Sequence, residues 1–346
     1  MRSRASLRPR GRRDRGDRPQ PCLPRRSRGR ARAHCAGRRG PSERCPPADE
    51  FQCPDCSARR RRSIAVPVPT SSGPPEADPA TATHPLVVVV GLVVGVLAVS
   101  TAAIFIRLAD APPLAVAFWR CALGAAALWP FAVRARRRST SLDGRQRRQL
   151  AGAGLFLAAH FAAFISSLSF TTVASAAVLV TAAPLFVGIG AAVFLGEAPS
   201  RQTWIGIVVA MVGAVGVAAA DFEGASGSAL TGDALAFAGA ALVAGYLIIG
   251  RAARRRLPVS RYAAGVYTVA AAALLVASLA TGSAVLGYTA ATWWAIVGLV
   301  VGPQLLGHTV FNSLLVAVPP TVIAVVVIAE PVGSTILAYL LLDEAP

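Results

Sequence analysis

From Pro85 onward the chain runs in long, almost uncharged blocks of Ala, Val, Leu, Ile and Gly, parted by short breaks rich in proline or arginine. A helix rises 1.5 Å per residue, so about 20 apolar residues cross a hydrocarbon layer about 30 Å thick. A helix of a water-soluble protein keeps a polar face, which most of these blocks lack. Barrel strands would be shorter and would alternate polar with apolar positions. The pattern therefore predicts an all-α integral membrane protein with nine spans, at roughly 86–106, 112–133, 150–170, 173–195, 202–220, 232–250, 262–281, 291–314 and 320–342. Asp110-Ala111-Pro112-Pro113 parts the first two spans and Val318-Pro319-Pro320 the last two. Small residues recur at helix-packing spacing, as in Gly91 with Gly95, Gly188 with Ala192 and Gly206 with Ala210. Such pairs let backbones approach closely in a lipid-embedded bundle.

One phrase occurs twice. Ala183-Pro184 leads through an apolar run to Gly196-Glu197-Ala198-Pro199, and Glu330-Pro331 leads through another to Asp343-Glu344-Ala345-Pro346. Proline and glutamate stand 13 residues apart in both copies, and the copies are 147 residues apart. This pairs span 4 with span 9, span 3 with span 8 and span 2 with span 7, so each repeat is five spans long. An odd number of spans reverses direction, and the second copy lies upside down relative to the first. The partner of span 5 would begin 147 residues after Gln202, beyond Pro346. Nine of ten expected spans are thus visible, and the chain reads as truncated. The expected domains are an N-terminal segment at 1–84, a first repeat at 85–220 and a second at 231–346 without its last helix.

Charge supports the inversion. All 35 basic residues are arginine, and residues 1–62 hold 20 of them. The loop from Arg134 to Arg148 carries seven Arg against one Asp, and that from Arg251 to Arg261 carries five Arg and no acid. The loop Asp221–Ser228 has two acids and no base, and the loop after the seventh span is uncharged. Basic loops stay in the cytoplasm, so the N-terminus is expected inside. Each basic loop then has a repeat partner on the other face, as inversion requires.

The net charge of +18 belongs largely to the first 62 residues, which read as disordered because they hold too few apolar residues to offset the entropy of ordering. They lack the apolar core of a secretory signal. Five of six cysteines lie there, including Cys53-Pro54-Asp55-Cys56. That spacing suits a zinc knuckle with Cys45 or His34, but the irregular neighbouring spacings favour no metal site. An over-extended gene start covering residues 1 to about 64 is the plainer account. If translated, the arginines would attract anionic lipid or nucleic acid without sequence preference, not a specific nucleic acid.

Charged residues deep in a span cost about 2.5–3.5 kcal/mol each and need partners or water. Arg120 in span 2 and Glu330 in span 9 both fall near mid-depth. Either they line a central cavity, Arg120 drawing an anionic substrate group and Glu330 a cation or proton, or they pair and brace the repeats. His160 in span 3 and His308 in span 8 stand 148 residues apart, nearly matched. Either could relay protons, or serve as a hydrogen-bonding contact between helices. Gln304, His308 and Asn312 step by four and share one face, a polar stripe expected to meet a cavity. Pro184 and Pro331 each remove a backbone donor at matching depth, as hinges or freed-carbonyl sites, or as plain kinks. Glu197 and Glu344 fall at interfaces and suit topological or gating contacts. The tryptophans fall mostly near span ends as interface anchors, with Trp119 the exception beside Arg120.

In their order and spacing several stretches resemble the drug/metabolite transporter superfamily, specifically its EamA-type ten-helix members. They are Ile104-Phe105-Ile106-Arg107-Leu108 with Ala117-Phe118-Trp119-Arg120, His160-Phe161 through Ser167-Leu168, Ala174-Ser175-Ala176 through Pro184-Leu185-Phe186 to Glu197, and Glu330-Pro331 to Asp343-Glu344. The resemblance spans about residues 86–346. It implies a ten-helix inverted-repeat fold that moves small metabolites across the bacterial inner membrane, with amino acids or drugs as family-level candidates.

The function expected is secondary transport, as an exporter working by rocking of two inverted repeats. A proton or cation would couple it, no cofactor or metal is called for, and a homodimer is the oligomer to test. No G-x-x-x-x-G-K-[ST] loop is present, so the chain itself hydrolyses no ATP. A membrane-embedded enzyme would need clustered catalytic groups. His160, His308 and Glu330 make only a sparse set, and no catalytic residue is assigned.

Overall fold

A computed structural model describes residues 84–136, 141–222 and 227–343, with backbone alone for 214–222. The readings for residues 1–83, including the cysteine and arginine clusters, and those for Glu344 lie outside the described residues.

Among the described residues nine long helices follow in order: α1 Pro85–Leu108, α2 Pro113–Arg136, α3 Gly144–Ser167, α4 Val173–Leu195, α5 Arg201–Phe222, α6 Gly227–Arg254, α7 Val259–Ala280, α8 Ala290–Leu314 and α9 Pro320–Leu342. All but α5 meet a length-and-composition test for crossing a membrane. Within α5, residues 202–220 carry no charge. The helices match the nine predicted spans, but several run longer. Helix α3 starts six residues before the apolar block because Asp143 and Gln146 form a reciprocal cap, Asp143 Oδ1 accepting from the Gln146 amide at 2.7 Å. Hydropathy marks only the lipid-embedded part of a helix, whereas the cap marks where it begins.

Four helices are irregular. Helix α1 is interrupted at Thr101, α4 at Thr181-Ala182 and α9 at Ile328-Ala329. Helix α8 turns into a π-helix over Val300–Thr309, around Pro303, and α4 ends in a π-helical turn at Ala191–Leu195. The interruptions in α4 and α9 are 147 residues apart, and each lies just ahead of its proline, Pro184 or Pro331. The same offset joins the helix ends: Gly196 (φ 69°) and Asp343 (φ 53°) both adopt the left-handed conformation that terminates a helix. Helices α4 and α9 thus share one backbone plan, interruption and left-handed cap included. Helix α3, the partner of α8, has no π segment.

Helices α2, α3, α6 and α7 form the densest part of the bundle. Their contact is made by small residues. A methyl at Gly154 would stand 2.6 Å from Val269 Cβ and 2.9 Å from the Val266 carbonyl, so α3 and α7 touch backbone to side chain. Gly91 and Gly95 face Leu314 and Phe311 of α8, and Gly188 faces Trp204 of α5. Gly206 meets nothing within 4 Å, so that small residue packs no helix. Outward faces carry large exposed apolar side chains such as Val93, Leu97, Phe194, Val209 and Leu340. In water such a surface would be prohibitive, and in lipid it is the solvated one.

Candidate functional site

The four irregular helices meet at one place. A cavity of about 80 Å³ lies where they converge. Its wall takes Val99 and Ala102 from either side of the α1 interruption, Thr181 and Pro184 from that of α4, and Val327 and Glu330 from that of α9. Pro303 and His308 come from the π-helical stretch of α8. Regular helices supply the rest: Arg120 from α2, His160, Phe161 and Phe164 from α3, and Tyr246 from α6. Backbone that departs from the α-helix at membrane depth is tolerated where it is buried in protein or lines a cavity. Four such departures on one void mark it as the built feature of the molecule.

Arg120 is 1% exposed. Its Nε donates to Gln304 Oε1 at 2.9 Å, and its Cζ sits 3.8 Å from the Phe161 ring centroid. Gln304 is itself held, because its backbone carbonyl accepts from Thr309 Oγ1 at 2.9 Å and Tyr267 Oη at 3.4 Å. Arg120 Nη2 has no partner. Glu330 lines the same cavity, yet no ion pair joins it to Arg120 among the described residues. The bracing pair is therefore absent in this conformation. A cation and an anion share a small cavity, and a guanidinium nitrogen stays open to a ligand.

His160 Nδ1 donates to the Gly239 carbonyl at 2.8 Å, which leaves Nε2 as its free nitrogen. The rings of His160 and His308 are 6.4 Å apart, centroid to centroid. Tyr246 Oη donates to Asn312 Oδ1 at 2.5 Å. The predicted stripe on α8 thus divides. His308 reaches the cavity, while Gln304 and Asn312 are fully buried behind its wall and hold Arg120 and Tyr246 from the rear. Their spacing is helical, but one face of α8 meets several neighbours at once.

Trp119 does not line the cavity. One residue along a helix turns about 100°, and its Nε1 instead donates to the Val285 carbonyl at 2.7 Å, with its ring edge-on to Trp293. Glu197 takes Arg251 Nε at 3.0 Å and Arg255 Nη2 at 2.5 Å. Among the described residues no three His, Cys, Asp or Glu side chains could hold a metal ion. Tyr246, Thr181 and Pro303 escaped the sequence reading. Tyr246 had a usable signal, as the one polar side chain in residues 234–250. Thr181 had none, since threonine is commonplace in such helices and its place beside an interruption is a tertiary fact.

Comparison with known proteins fits this geometry. A solved crystal structure of a protein aligns with a TM-score of 0.61 over 75% of this chain and 89% of that one, at 20% identity, which speaks for the fold. No curated protein matches the chain. The model of the EamA-like transporter family matches residues 86–219 and 230–346, one match on each half. Two copies of one helical unit around a shared cavity, each matching that model, place the chain in the EamA-like transporter family, within the drug/metabolite transporter superfamily.

Proposed function

We propose that the chain exports small metabolites from the cell by alternating access, its two inverted repeats rocking about the central cavity. Members of its family are transporters of small molecules. The observation that supports the finer reading is the convergence of four helix irregularities on a cavity holding an unpaired Arg120 nitrogen and a separate Glu330. Arg120 takes the anionic group of the substrate, such as a carboxylate, and Glu330 takes a cation or the coupling proton. His308 and His160, which line the same cavity, serve as proton-carrying groups. Pro184 and Pro331 mark the two interruptions at which the repeats bend. The arginine-rich ends of α2 and α6 favour a cytoplasmic N-terminus, in an inner membrane.

Untargeted comparison of metabolites inside and outside cells, with and without the gene, tests this. The expected result is one class of small polar metabolite held inside when the gene is absent and released when it is restored. Restoration by Arg120→Met or Glu330→Gln as effective as by the native chain would overturn the site assignment.

A further inference from the structure

Apart from the central cavity, a groove of about 730 Å³ lies where the last turns of α2 meet the first turn of α7. Helix α2 lines it with Leu128, Phe131 and Arg134, helix α7 with Val259 and Ser260, and α8 with Thr309. Its size falls within the range of about 300–1,000 Å³ in which proteins hold small molecules, well beyond the needs of an ion. It sits where the apolar span of α2 gives way to the arginine-rich loop from Arg134 to Arg148, at the boundary between hydrocarbon and water.

The wall has an order of polarity. Leu128, Phe131 and Arg134 step by three along α2, so they follow one another along one side of the helix. The side therefore passes from apolar to cationic as it nears the membrane surface. Phe131 is 62% exposed, open to an apolar occupant. Among the described residues Arg134 makes no hydrogen bond or ion pair. The one acid of the adjoining loop, Asp143, is engaged in the cap of α3. The occupant that fits is apolar along its length and anionic at the end that reaches water. A second helix would cover the apolar wall and leave Arg134 without a counter-charge. A small soluble anion would do the reverse. An anionic phospholipid satisfies both, because its phosphate accepts charge-assisted hydrogen bonds from a guanidinium while its chains stay in hydrocarbon.

We propose that this groove is a binding site for one anionic phospholipid, with its phosphate on Arg134 and an acyl chain running along Phe131, Leu128 and Val259 toward Thr309. Thr309 Oγ1 donates to the Gln304 carbonyl, and Gln304 Oε1 in turn accepts from Arg120. The far end of the lipid thus lies behind the support of the cavity arginine. The site is distinct from the cavity and does not depend on what the protein carries.

Native mass spectrometry counts the lipids that stay on the full-length chain when it is released from nanodiscs of equimolar phosphatidylglycerol and phosphatidylcholine with matched acyl chains. One phosphatidylglycerol should be retained in preference to phosphatidylcholine by about fivefold, the weight of one arginine at a membrane surface. Arg134→Gln should bring the two lipids to parity. Arg147→Gln, which removes an exposed arginine outside the groove, should leave the preference unchanged. Ser260→Trp, which fills the groove from the α7 side, should exclude both lipids. Glycerophosphoglycerol, the headgroup without its chains, should displace nothing. Added phosphatidylglycerol should raise the unfolding temperature of the native chain and not that of Arg134→Gln. Equal retention of the two lipids by the native chain, an equal loss in Arg147→Gln, or unchanged retention in Ser260→Trp would each overturn the site. So would displacement by the free headgroup, a dimer that forms as the lipid leaves, or equal thermal shifts in the native chain and Arg134→Gln.

Discussion

Replacing Arg120 with methionine separates a substrate-binding arginine from a structural one. The change removes a charge-assisted hydrogen bond to Gln304 Oε1, about 1.5–3 kcal/mol, and a guanidinium–ring contact with Phe161, about 2 kcal/mol in a dry site. It also removes the standing penalty of a guanidinium that is 1% exposed and has one nitrogen unpaired, which amounts to several kcal/mol. The opposing terms are of similar size, and methionine fills much of the same volume. Stability should therefore move by less than about 2 kcal/mol in either direction. Transport should behave otherwise. If Nη2 binds the substrate anion, its loss removes about 3 kcal/mol of charged hydrogen bonding, a fall of roughly 100-fold in apparent affinity. The assay pairs thermal unfolding of the purified variant with efflux of the metabolite that the gene-deletion comparison identifies. A variant destabilised by more than about 3 kcal/mol, with efflux falling only in proportion to the folded protein, would refute the reasoning and return Arg120 to a bracing role. Arg120→Lys keeps the charge but not the fork that reaches Gln304 and the cavity together, and should show intermediate efflux.

Three further outcomes follow from particular contacts. Gly154→Ala must push α3 from α7, because the new methyl meets the Val266 carbonyl and Val269 at under 3 Å; a loss of about 1–3 kcal/mol, seen as a lower unfolding temperature, is expected. Tyr246→Phe leaves Asn312 Oδ1 without its donor in a dry interior and should destabilise by about 1–3 kcal/mol, read by the same unfolding assay. Asp343→Gly places in the second repeat the residue that the first already has at the equivalent left-handed position, Gly196, and should raise the unfolding temperature slightly, by the equivalent of about 0.5–1 kcal/mol.

Much of the fold was legible in the chain because a bilayer makes simple demands. A span must be apolar over its whole lipid-embedded length, so nine spans could be counted from hydropathy. The inverted repeat showed itself in the Pro184–Glu197 and Pro331–Glu344 spacings, and the kinks and left-handed caps of the structure follow the same offset of 147 residues. Arg120, Glu330, His160 and His308 could be singled out because polar groups are costly in lipid and rarely idle there. All four line one cavity.

Sequence periodicity did not fix which way each polar side chain looks. Gln304 and Asn312 share a stripe with His308, yet only His308 meets the cavity. Where a stripe faces depends on the helices packed against it, and α8 lies against α1, α2 and α7. Trp119 adjoins Arg120 in sequence and points elsewhere for the same reason. The interruption at Thr101 and the π-helical stretch around Pro303 leave no mark in the hydropathy pattern, and the carboxylate of Glu197 meets Arg251 and Arg255, 54 and 58 residues away. The sequence alone determined what must lie in lipid, because that is a property of each segment's own side chains. The tertiary structure decided which buried polar groups stay open to a ligand and which are spent on one another, because that depends on how neighbouring helices fill the space between them.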